Sequence, residues 1–75
     1  MGKGTINVYD VVSDIQARKE RFRIAPAHAT FSEIKAELKG IDAGALYALL
    51  DCEVDGGMLQ RRRTINGYAY TISEE

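Results

Sequence analysis

The chain has no tryptophan, two phenylalanines, and one each of cysteine, proline and histidine among 75 residues. Lone Cys52 excludes an internal disulfide, and with it the stapled scaffolds that small secreted domains use. Cys52 and His28 together fall short of a zinc donor set unless several carboxylates converge, so no metal is expected. No apolar run approaches the length of a membrane span, and the N-terminus lacks the apolar stretch of a signal peptide. Met1-Gly2 opens like a myristoylation signal, but Ile6 stands where that signal requires Ser or Thr. The expectation is a soluble, cytoplasmic protein with no membrane partner.

What is present fits one domain over residues 1–75. Hydrophobic residues make up 45% of the chain, an ordinary globular share that disfavours disorder. With so few aromatics, the core must come mainly from Leu, Ile, Val and the four tyrosines. Such a core lies near the lower size limit for folding without staples, and a second copy or a partner would add to it.

Net charge is −1, but the charges are segregated. Arg18, Lys19, Arg21 and Arg23 outweigh Glu20 to give residues 18–23 a net +3, and Arg61-Arg62-Arg63 form a second basic block. Residues 42–55 hold Asp42, Asp51, Glu53 and Asp55 with no base. Distribution of this kind bears on partners more than the total does.

The periodicity predicts a first helix over about Asn7 to Phe22, with Val8, Val11, Val12, Ile15 and Phe22 on one face. Asn7 or Thr5 caps it, and its basic residues gather in the last turn, where the helix dipole favours them. Pro26 ends helical conformation by Ala25. Ala27-His28-Ala29 is short enough to be a small strand. Thr30-Phe31-Ser32-Glu33 reads as a capping box opening a helix of about two turns, with Phe31, Ile34 and Leu38 inward and Gly40 at its exit. Asp42 caps the next helix, whose buried stripe is Leu46, Leu49, Leu50 and Val54, and Gly56-Gly57 stops it. Met58 to Ile65 and Tyr68 to Ser73 then pair as a hairpin about Asn66-Gly67, a dipeptide suited to a tight turn. That turn sets Ile65 opposite Tyr68, Arg63 opposite Tyr70 and Arg61 opposite Ile72, with Arg62 on the other face.

Two capped helices followed by a hairpin with three arginines on its first strand resemble a winged helix-turn-helix domain. The resemblance covers nearly the whole chain and rests on the order of elements. It implies an α+β, mainly helical fold of three helices with a small β-hairpin wing. It also implies double-stranded DNA as partner, with the third helix in the major groove and the wing beside it. On that reading Arg61, Arg62 and Arg63 meet phosphates, Ala43, Ala45 and Tyr47 approach the groove, and Arg18, Lys19 and Arg21 offer further phosphate contacts. The function implied is that of a small transcriptional regulator or accessory factor, working as a homodimer. About three to five phosphate contacts would give a log-log salt slope of roughly −3 to −4.5.

Other readings of the same residues stand beside it. A solvated strand uses arginines to guard an edge against aggregation. The 18–23 cluster also fits the solvated end of an amphipathic helix. The third helix departs from the family's pattern, since none of Ala43, Gly44, Ala45, Tyr47, Ala48 and Asp51 is basic. Asp51, Glu53 and Asp55 would repel phosphates, at about 1 kcal/mol per group depending on screening. The alternative function is therefore a protein-protein interaction module that meets its partner through those three acids. For Tyr68 and Tyr70, burial of at least one is expected.

Catalysis has no foothold in the sequence. Asp51 and Glu53 flank Cys52 and disfavour the thiolate, so Cys52 reads as a small, half-buried helix residue. His28 has no partner by spacing. Gly2-Lys3-Gly4-Thr5 is a fragment of a phosphate loop without its strand or upstream glycine. A non-enzyme without cofactor is expected.

Overall fold

The computed structural model describes residues 7–65 and 67–73. Along them run α1 (Val8–Arg21), β1 (Ala29–Thr30), α2 (Phe31–Glu37), α3 (Ala43–Asp55), β2 (Leu59–Thr64) and β3 (Gly67–Ile72). These residues form an α+β, mainly helical fold, with three helices packed on one antiparallel sheet of order β1-β3-β2. Thr5, the Gly2-Lys3-Gly4-Thr5 segment and Asn66 lie outside the described residues.

The first helix starts where the sequence predicts. The Asn7 side chain accepts from the backbone N–H groups of Tyr9 and Asp10 at 3.1 and 3.3 Å, which satisfies donors that have no partner inside the helix. Val8, Val12 and Ile15 are buried. Phe22, expected on the same face, is instead the C-cap and is 67% exposed. The backbone leaves the helical path there. Arg23 turns to φ +58, its N–H donates to Glu20 O, and the Ile24 N–H donates to Lys19 O at 2.8 Å. That is a Schellman ending with arginine where glycine is the usual residue.

The small strand begins two residues later than expected, at Ala29. A local turn takes the His28 N–H to Pro26 O, and pairing starts with Ala29 opposite Tyr70 and Thr30 opposite Ala69. The capping box of α2 forms in both directions: the Glu33 N–H donates to Thr30 Oγ1, and the Thr30 N–H to Glu33 Oε1. Gly40, at φ +87, separates α2 from α3. Asp42 accepts from the Ala45 N–H at 3.2 Å to open α3, and a second Schellman ending closes it with Gly57 at φ +81. Leu46 and Leu50 are fully buried and Leu49 and Val54 partly so, as the stripe predicts, but Cys52 is exposed instead of half-buried.

The hairpin register differs from expectation by two residues. Thr64 pairs with Gly67, Arg63 with Tyr68, Arg61 with Tyr70 and Leu59 with Ile72. Gly67 is thus already in the strand. This register sets buried Leu59 against Ile72 on the core, where the expected one would have set it opposite Glu74. A two-residue slip preserves faces. Arg61 and Arg63 remain on one side with Tyr68 and Tyr70, and Arg62 on the other.

The core gathers where α1, α2 and α3 meet the sheet. Tyr70, Ile34, Leu46, Leu50, Leu59 and Val12 are its largest fully buried side chains. Burying each aliphatic one contributes about 1.5–3 kcal/mol. Gln16 of α1 accepts from the Ile72 N–H at 2.9 Å, tying that helix to the central strand. No helix of the described residues is long and apolar enough to cross a membrane.

Candidate nucleic-acid interface

The three consecutive arginines of β2 meet different surroundings. Arg61 points toward α3, where it donates to Asp51 Oδ1 at 2.6 Å, and its guanidinium lies 5.1 Å from the centre of the Tyr68 ring. It is therefore held by one acid and one aromatic face. The same guanidinium stands near Tyr70, whose hydroxyl is buried and, among the described residues, reached by no donor or acceptor in good hydrogen-bond geometry. Burial raises the Tyr70 hydroxyl above its ordinary value of 10.0, and Arg61 opposes that rise.

Arg62 and Arg63 are exposed and make no salt bridge among the described residues. Both line an open groove between the hairpin and the first turn of α2. Phe31 and Ser32 of α2, Tyr47 of α3, and His28 and Thr30 at β1 line it as well. Tyr47 is fixed by stacking on Phe31, with ring centres 4.1 Å apart and planes 13° apart. Among the described residues, no carboxylate lines this groove. Its charged lining residues are basic, and Thr30, Ser32, Tyr47, Thr64 and Tyr68 also line it, the Thr64 hydroxyl donating to the Gly67 carbonyl at 2.9 Å.

The remaining expected contacts are distributed differently. Ala43 and Ala45 are exposed on the first turns of α3 but do not line the groove. Arg18 pairs with Glu37 at 3.1 Å. Lys19 donates to Glu33 Oε1 and to the His28 carbonyl, both at 2.8 Å. These two residues tie α1 to α2 and to the segment before β1. Arg21 is exposed, with no ion pair among the described residues. On the acidic side, Asp51 is compensated by Arg61, Glu53 is half-buried and Asp55 is exposed.

Glu33 serves two structures at once. Burial would raise its carboxyl, but the Lys19 ammonium and the Thr30 capping contacts outweigh it and hold the group below 4.5. His28 moves down from 6.5, through burial first and then Lys19, with Glu33 opposing and Arg62 adding to the fall. The place of His28 in the groove was not foreseen from sequence, where nothing local links it to residues 62 and 63. No group of three or more His, Cys, Asp and Glu side chains among the described residues comes together to hold a metal.

The chain matches no protein-family model, no curated protein and no solved structure. Its chemistry must be read from the groove itself. Among the described residues, two guanidinium groups without ion pairs, flanked by hydroxyl-bearing residues and no lining acid, make a surface suited to phosphate oxygens.

Proposed function

We propose that this chain is a winged helix-turn-helix protein that binds double-stranded DNA through its hairpin wing and α3, as a small transcriptional regulator or accessory factor. The observation that carries this reading is the groove that, among the described residues, has no lining acid and holds Arg62 and Arg63 without ion pairs beside Tyr47. The element order, with the sheet arranged β1-β3-β2, supports the winged-helix part. The Arg61–Asp51 pair supports it further, because it masks the α3 acid placed to repel a phosphate rail.

Arg61, Arg18 and Lys19 are engaged within the fold, so each copy offers about two to three phosphate contacts and a salt slope of roughly −2 to −3. Two copies on one duplex double the contacts, and a homodimer belongs to this reading. The interaction-module alternative has less support, since of its three acids Asp51 is paired and Glu53 is half-buried.

Fluorescence anisotropy of a labelled duplex of random sequence, titrated with the protein from low to moderate salt, tests the proposal. Binding that weakens with that slope upholds it. Absence of binding at low salt removes it.

A further inference from the structure

We propose that His28 is a third phosphate ligand of the groove, taking up a proton as the phosphodiester backbone of a nucleic acid engages Arg62 and Arg63. This inference rests on the nucleic-acid reading above and adds a residue and a proton to it.

The argument begins with placement. Thr30 of β1, Ala69 of β3 and Arg62 of β2 form one row across the sheet. His28 precedes Thr30 by two residues and lines the same groove as Arg62 and Arg63. Its backbone is fixed on both sides, with the N–H on Pro26 O and the carbonyl held by Lys19 Nζ at 2.8 Å. The ring is thus carried by a constrained segment at the rim of the sheet and is only partly exposed. A neutral imidazole offers one donor and one acceptor, whereas an imidazolium offers two donors and a charge.

Three charged groups act on the ring from the elements around it: Lys19 of α1, Glu33 of α2 and Arg62 of β2. In the free protein, burial and the two cations outweigh Glu33 and favour the neutral ring. A phosphate at Arg62 and Arg63 changes this balance. It neutralises the cation that repels the imidazolium and supplies an anion that attracts it. The folded, unbound pKa is the low one and the bound pKa the high one. Affinity therefore rises as pH falls through the interval between them and is flat outside it.

His28 is the chain's one histidine, so its ring resonance can be followed by NMR without assignment ambiguity. The experiment is a pH titration of that resonance, free and with a saturating duplex, beside anisotropy measurements across the same range. We expect the pKa to rise by about one unit on binding, with affinity about tenfold higher below the interval than above it. His28→Gln should flatten the pH dependence. If the duplex binds but the resonance titrates unchanged, or His28→Gln keeps the full pH dependence, the inference is overturned and the nucleic-acid reading stands. If no duplex binds at any pH, both fall together.

Discussion

Replacing Asp51 by Asn should strengthen nucleic-acid binding, which is the reverse of what loss of an ion pair usually does. Asp51 holds the Arg61 guanidinium at 2.6 Å, and the two side chains are 55% and 37% exposed. An interaction so open to solvent is strongly screened, so the melting temperature should stay close to that of the unmodified chain. The electrostatic change at the surface is larger. One carboxylate disappears from α3, and Arg61 is released beside Arg62 and Arg63. If Arg61 then reaches a phosphate, the salt slope steepens by about 0.9, equivalent to about eightfold in affinity for each tenfold fall in salt. Anisotropy titrations of Asp51→Asn against the unmodified chain, at three or more salt concentrations, read both quantities. Weaker binding with an unchanged melting temperature would refute the reasoning, because the pair would then be orienting the hairpin and not masking a charge.

Two further outcomes follow from the fold. Arg23→Gly should raise stability by about 1 kcal/mol in chemical denaturation, because Arg23 occupies the left-handed position of a Schellman ending at φ +58. A loss of stability would mean that its side chain holds the α1 end in a way that outweighs backbone strain. Glu33 has a folded pKa below its unfolded value of 4.5, so its contribution is present above that value and is lost as pH falls through the lower, folded one. Urea titrations from neutral to acid pH should therefore show a decline that is shallower in Glu33→Gln. An equally steep decline in the variant would assign the acid sensitivity to other groups.

Much of the fold was legible because its signals are local. Asn7, Thr30 with Glu33, and Asp42 cap helices through contacts two or three residues away, and all three caps form. Gly57 marks the end of α3 because glycine adopts positive φ without strain. The end of α1 has the same hydrogen bonds around Arg23 but no glycine to announce them, so periodicity alone places Phe22 on the buried face. The hairpin register failed for a different reason. The Asn66-Gly67 turn preference competed with the fit of Leu59 and Ile72 to the core, and the core decided the pairing.

The candidate site divides along the same line. Alternation along β2 sets Arg61 and Arg63 on one face and Arg62 on the other, so the meeting of Arg62 and Arg63 at one groove does not follow from period-two geometry. The commitment of Arg61 to Asp51 needs α3 packed against β2, and the arrival of His28 beside Arg62 needs three strands in place. Neither is written in local sequence. The neutralised Arg18 and Lys19 belong with them, because their partners Glu37 and Glu33 lie on the next helix.

The most direct test is the salt dependence of duplex binding for three proteins: the unmodified chain, Arg61→Ala, and the double variant Arg62→Ala/Arg63→Ala. The account predicts that Arg61→Ala weakens binding, because it unmasks Asp51, but keeps the slope of the unmodified chain. The double variant should lose about 1.8 of that slope, or binding altogether. Equal losses in the two variants, or no duplex binding by the unmodified chain at low salt, would contradict the assignment of the groove as a phosphate-binding surface.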